Sequence, residues 1–153
     1  MLNFEFTNET SEKINPEIFS DRLSKCYEIL KELISEKTSG KVGLVDLVLV
    51  SDPVIEAMNL EYRDKKGPTD VISFAYLEVT DFDENAEEIL VGDIFISVDT
   101  AKKQAKEKKH SFEKEMEILF VHGLLHLLGF DHNNDEEEAE MEGWAKKILT
   151  NNT

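Results

Sequence analysis

Cysteine is nearly absent from this chain, since Cys26 is the only one among its 153 residues. A single cysteine excludes an internal disulfide and a metal site built from several thiolates. Long apolar runs are also missing, because no stretch reaches the roughly 18 residues that a membrane-spanning helix needs. The segment from Met1 to Phe6 has neither a basic nor an apolar signal region, so we expect no signal peptide. Together these absences predict a soluble, cytoplasmic protein without a membrane partner.

Positive charge is scarce as well. The chain has 17 lysines and arginines against 33 aspartates and glutamates, which gives a net charge of −16 at pH 7. An acidic surface repels polyanions, so the overall charge taken alone argues against nucleic-acid binding. The only arginines are Arg22 and Arg63, and the one dense basic patch is the lysine run at residues 102–109. We interpret that lysine run as a solvated helix face. The acidic runs at 81–88 and 135–142 are likewise interpreted as solvated surface.

The length and the hydrophobic content of 41% suit one domain, which we place at residues 1–153. The periods of the apolar residues predict a βαβα order, then two strands, then helices, as expected for an α+β or mixed α/β fold. Asn15 and Pro16 mark the start of the first helix as its N-cap and first helical residue. The predicted strands are about 2–6, 42–50, 69–76 and 89–98, and the predicted helices are about 15–34, 51–62, 99–109, 112–128 and 134–149.

Three of the four histidines lie between residues 122 and 132. His122 and His126 are one helical turn apart, so on a helix their side chains share one face at about 5–6 Å. On an unbroken helix His132 would lie about 15 Å from His122. Gly129 accepts the left-handed conformation that ends helices, so the chain can turn back there. The pattern predicts a metal site of three histidines with an open fourth position, which is typical of catalytic zinc.

A second candidate region is the polar loop that follows the second predicted helix. Arg63, Lys65 and Lys66 stand in this loop, which leads into the strand that begins at Thr69. Loops at strand ends commonly carry catalytic groups. Arg63 is therefore a candidate catalytic residue, although a plain surface cation fits the same pattern.

These motifs together resemble the YbeY family of bacterial endoribonucleases, the rRNA maturation factors. Residues 122–132 match the family's histidine motif, H-G-x-L-H-L-x-G-[FY]-D-H, at every position. Tyr62 and Arg63, followed by the segment 68–74, match a second motif with one conservative change, and residues 91–94 match a third. The resemblance extends over nearly the whole chain in order and spacing.

The resemblance implies a small mixed sheet, mostly four-stranded, with about five flanking helices and a zinc site on a C-terminal helix and the loop after it. It implies one zinc ion per chain held by His122, His126 and His132, with Arg63 and His122 as catalytic residues. The implied activity is zinc-dependent hydrolysis of phosphodiester bonds in single-stranded RNA, within ribosomal RNA maturation and ribosome quality control. The implied partners are single-stranded RNA, ribosomal RNA, and the ribosome or its proteins.

Two alternatives stay open. The same histidine spacing occurs in zinc metalloproteases, which place a glutamate after the first histidine as general base. That position is Gly123 here, which argues against peptide hydrolysis. The other alternative is a non-catalytic, zinc-containing ribosome-binding module, but structural zinc normally has four protein ligands. Cys26 and His110 lie outside the motif, and Asp131 is interpreted as orienting an imidazole or as a contact at the helix end.

Overall fold

The computed structural model describes residues 1–77 and 84–150, which form a four-stranded sheet with helices packed against it. The predicted α+β architecture with a mixed sheet is confirmed. Part of the acidic connection predicted at 81–88 lies outside the described residues. The strands are β1 (Leu2–Asn8), β2 (Val42–Val50), β3 (Val71–Ala75) and β4 (Glu88–Ser97). The helices are α1 (Glu17–Ile29), α2 (Lys31–Lys37), α3 (Asp52–Arg63), α4 (Val98–Lys108), α5 (Phe112–Leu127) and α6 (Asp135–Leu149).

The described part of the chain has six helices where about five were predicted, because the first predicted helix is divided in two. Leu30 separates α1 from α2, with φ −112° and ψ 26°, outside the α-helical range. The start of α1 also differs by one position, since Pro16 is the N-cap. Asn15 Oδ1 accepts a hydrogen bond from the Glu17 amide at 3.0 Å, so Asn15 still satisfies one of the free amides of the first turn.

The strand order in the sheet is β1-β2-β4-β3. Strands β1, β2 and β4 are parallel, whereas β3 runs antiparallel to β4 with Phe74 opposite Asp93. Parallel neighbours need long crossovers, and the helices between them supply these. Because β3 is the last strand in this order, one side of its backbone has no strand partner within residues 1–77 and 84–150. That side borders the candidate site.

Helices α1 and α5 cover one face of the sheet and bury the main core. Phe4 of β1, Phe19 of α1 and Phe120 of α5 meet there, with ring centroids 5.3 to 6.5 Å apart. The opposite face carries a smaller apolar cluster in which Ile55 of α3 joins Ile72 of β3. Close-packed interiors of this kind leave little freedom to the elements they anchor. The ends of α3 and α5 are therefore held in fixed positions relative to β3.

Helix α5 is buried along most of its length and carries one buried charge. Glu115 is 0% exposed and pairs with His110 at 2.7 Å and with Lys108 at 3.2 Å. A buried carboxylate requires such partners, because removing it from water is otherwise costly.

No helix in the described part of the chain, α5 included, is both long enough and apolar enough to cross a membrane.

Candidate metal centre and adjoining groove

His122 and His126 project from α5 into one cavity of about 270 Å³. His132, from the loop after α5, lines the same cavity. The three histidines singled out from the sequence are thus brought to one place. Asp70 and Val71 of the β3 region form another wall of the cavity. The remaining lining side chains are Leu119, Glu138, Met141 and Glu142.

A glycine turn returns the chain to this cavity after α5 ends. Gly129 has φ +98°, a value that side-chain-bearing residues rarely adopt. Its amide bonds to the His126 carbonyl at 3.0 Å, and the next amide, that of Phe130, bonds to the Leu125 carbonyl at 3.0 Å. This pair of bonds is the Schellman arrangement, which satisfies carbonyls at a helix end. The imidazole ring of His132 consequently lies 5.2 Å from that of His126, measured between centroids.

The tightest group of potential ligands differs from the predicted set. Ligand atoms of His126, Asp131 and His132 all lie within 4.8 Å of one another. Among the described residues His122 shares the cavity but is not a member of this tighter group. The sequence interpretation gave Asp131 an orienting or helix-end role. Its place in the turn directly before His132 was the signal that could have marked it as a further ligand candidate.

Hydrogen bonds show what Asp131 does in the turn that carries His132. Its Oδ1 accepts a hydrogen bond from the His132 amide at 2.8 Å, and its Oδ2 accepts one from Asn133 Nδ2 at 3.0 Å. The bond from the His132 amide is the main reason that the pKa of Asp131 is lowered. The side chain of His132 is farther away, with Nδ1 at 3.8 Å from Oδ1. Both carboxylate oxygens therefore brace the loop that carries His132.

The electrostatics of the cavity suit metal binding by imidazole. Burial lowers the pKa of His122, and the neighbouring His126 lowers it further. Burial likewise lowers the pKa of His126, with a smaller contribution from His132. Neutral imidazole is the form whose ring nitrogen binds a metal, so these shifts keep both residues ready for ligation near neutral pH. A set of imidazoles with a nearby carboxylate fits zinc well.

Arg63 reaches the same region from the other side. It is the last residue of α3. The next residue, Asp64, caps the helix in a left-handed conformation with φ +53°. Arg63 lines a groove of about 720 Å³ that runs along β3. The groove and the metal cavity share four lining residues, namely Asp70, Val71, His126 and His132. The groove is lined by Tyr62, Arg63, residues 69–75, His126, Asp131 and His132.

The lysines singled out from the sequence lie elsewhere. Lys65 and Lys66 are exposed in the loop after Arg63 and lie outside the described lining of the groove. On α4, Lys102 pairs with Glu12, and Lys108 pairs with the buried Glu115. These two members of the lysine run hold neighbouring segments, in keeping with its interpretation as an ordinary helix surface.

Gly123 has a packing role that the sequence did not reveal. A Cβ atom placed there would lie 2.9 Å from Ile94 Cγ2 and 3.1 Å from its Cδ1. The position therefore faces β4 at a point where α5 approaches the sheet too closely for a side chain. A glutamate at this position would point into the sheet and not towards the histidine cavity.

Comparisons with known proteins agree with these motifs. The family model described as Endoribonuclease YbeY matches residues 5–153 of the chain. A relative of that name from Heliobacterium modesticaldum is 48% identical over 141 residues, covering 84% of this chain and 85% of the relative. The relative from Streptococcus sanguinis is 40% identical over 164 residues, which cover 97% of this chain and 96% of the relative. A Thermotoga maritima protein solved in solution is similar in fold, with a TM-score of 0.58 and 26% identity over 95% of this chain and 89% of that one.

Proposed function

The chain belongs to the Endoribonuclease YbeY family, and we propose that it is a zinc-dependent endoribonuclease acting on single-stranded RNA. One observation carries the proposal. Two sequence motifs that lie far apart in the chain, one with Arg63 and one with the histidines, line adjoining spaces that share His126 and His132. A phosphate-binding cation beside a cluster of neutral imidazoles suits metal-assisted phosphodiester hydrolysis.

The proposed metal site uses His122, His126 and His132 as ligands for one zinc ion per chain. When bound, zinc supplies Lewis-acid charge beside the scissile phosphate. The chain's own contribution is to hold the imidazoles neutral by burial and to return His132 to the cavity through the Gly129 turn. Asp131 keeps that turn in shape by accepting a hydrogen bond from the His132 amide. Three histidine ligands would leave the fourth position of a tetrahedral zinc ion open to substrate.

Arg63 is proposed to bind the phosphate that is attacked. Its guanidinium is planar and offers two parallel donors to phosphate oxygens, which a lysine does not. Asp70 and Asp131 also line the groove, and their carboxylates repel a polyanion. Arg63 therefore has to work against local negative charge, and its position beside His126 and His132 places that single cation next to the proposed metal.

The cellular setting is proposed from the family resemblance. We propose a single domain over residues 1–153, located in the cytoplasm and acting in ribosomal RNA maturation and ribosome quality control. The partners would be single-stranded and ribosomal RNA together with the ribosome or its proteins. The net charge of −16 supports a basic ribosomal protein as a contact for the acidic surface away from the groove.

The packing of Gly123 counts against the metalloprotease alternative. Proteases of this spacing need a carboxylate at that position as general base. The close approach of Ile94 leaves no room for one, and the position faces away from the cavity.

The test compares purified, zinc-loaded protein with a His122→Ala variant on single-stranded RNA, double-stranded RNA and a peptide substrate. We expect the wild-type protein to cleave only the single-stranded RNA and the variant to lose that activity. His110→Gln is the control, because His110 lies outside the described cavity lining and glutamine still offers Glu115 a donor. Peptide cleavage, or equal RNA cleavage by the His122→Ala variant, would contradict the proposal.

A further inference from the structure

Tyr62 is an exposed aromatic residue inside the groove. Its residue surface is 59% exposed, although large aromatic side chains are usually well covered. It lines the groove beside Arg63, on the last turn of α3, and faces the same space as His126 and His132. An open aromatic ring next to a proposed phosphate-binding arginine is a feature that packing alone does not require.

The ring of Tyr62 is held in place by other aromatic side chains. It packs against Phe74 of β3 with centroids 5.3 Å apart and ring planes at 80°. Phe74 in turn packs against Phe95 of β4 at 5.9 Å and 85°. Edge-to-face contacts of this kind fix a ring while occupying at most one of its faces. Tyr62 is thus pre-oriented, and much of its surface stays available to a ligand.

Apart from the proposed zinc ion, the chain's own charges give this groove little hold on RNA. Arg63 is the only cation in its described lining, where it faces the carboxylates of Asp70 and Asp131. The chain as a whole carries −16. Binding of single strands commonly combines a basic track with aromatic rings on which bases stack. A groove with few basic residues therefore depends more on aromatic rings for binding.

We propose that Tyr62 stacks against the base of a nucleotide next to the phosphate held by Arg63, and so positions single-stranded RNA in the groove. The inference rests on the proposed ribonuclease function and adds a residue that contacts a base of the bound strand. It also explains a requirement for single strands, because a base within a duplex has both faces covered by its neighbours. Stacking on one aromatic ring changes affinity by roughly five- to a hundredfold.

The test measures binding of a short fluorescent, hydrolysis-resistant RNA analogue to the full-length, zinc-loaded protein by anisotropy. Tyr62→Leu keeps an apolar side chain against Phe74 but removes the aromatic face, so it should weaken binding at least about fivefold. Tyr62→Phe keeps the ring and should bind as wild type does. Leu60→Ala is the matched control, because Leu60 is 53% exposed on the same helix and lies outside the described groove lining.

Abasic substitutions along the same RNA separate stacking from general stabilisation. In the wild-type protein, removing the base at one position should weaken binding about as much as Tyr62→Leu does. In the Tyr62→Leu variant, removing that base should cost nothing further, since the partner ring is already gone. Unchanged binding by Tyr62→Leu, or losses that add at every position, would overturn the inference. Wild-type protein that neither binds nor cleaves single-stranded RNA would contradict the proposed function and this inference together.

Discussion

Replacing Gly129 with alanine is expected to weaken both the fold and the metal site. The residue has φ +98°, and a side chain in the left-handed region costs about 1–2 kcal/mol. For a domain of this size each kcal/mol shifts the melting temperature by roughly 2–4 °C, so Gly129→Ala should melt roughly 2–8 °C lower. If the turn opens to relieve the strain, His132 moves away from His126. Zinc affinity should then fall by at most the strain energy, a factor of roughly 5–30.

Two measurements on metal-free and zinc-titrated protein check this reasoning, namely thermal unfolding by circular dichroism and zinc affinity by competition with a chelator. Gly143→Ala is the matched control, because Gly143 lies within α6 at an ordinary φ and an added Cβ would meet nothing within 4 Å. Helix propensity predicts that this control gains about 1 kcal/mol and leaves zinc affinity unchanged. A Gly129→Ala protein that melts and binds zinc like the wild type would refute the proposed role of the turn.

Three further predictions concern charged groups. Arg63→Ala should leave the melting temperature unchanged and reduce RNA cleavage at least about tenfold. Arg63→Lys should recover little of that cleavage, because lysine lacks the planar donor pair. A wild-type cleavage rate in Arg63→Ala would contradict the assignment. Burial and the neighbouring Asp93 and Glu5 raise the pKa of Asp46 from 3.8 to about 6, so the folded state binds more protons and stability falls as pH rises between those values. Asp46→Asn should flatten that part of the stability profile in urea titrations, and an unaltered profile would argue against the shift. One phosphate contact, from Arg63 as the only cation in the described groove lining, predicts a shallow log–log salt slope of roughly −0.7 for RNA binding, whereas a slope of roughly −2 or steeper would mean that lysines outside the groove carry the binding.

The sequence predicted best the features that are written in neighbouring residues. The end of α5 and the return of His132 follow from a glycine at the right distance, and the structure has φ +98° at that residue. The start of α3 at Asp52 lies within one residue of the predicted start at 51, whereas Arg63, predicted to stand in the polar loop, is the last residue of the helix. Such signals depend on backbone conformations that one or two residues determine.

Features that depend on distant partners were not predictable. The place of β3 at the sheet edge, where it borders the groove, results from pairing across the whole chain. From the sequence, Gly123 was notable only as a position without the glutamate of the metalloproteases. The structure explains the glycine by the close approach of Ile94 of β4. The break at Leu30 interrupts a run of apolar residues whose helical period continues through it. Tyr62 owes its importance to the groove that it lines, which no sequence period indicates.

The central claim is that His122, His126 and His132 bind one zinc ion per chain, and elemental analysis of purified variants tests it most directly. We expect one zinc per wild-type chain, and loss of zinc in each of the three histidine-to-alanine variants. Asp131→Asn should retain zinc, because asparagine still offers an oxygen to the His132 amide. Full zinc in His122→Ala together with loss in Asp131→Asn would contradict the claim and make Asp131 the third ligand.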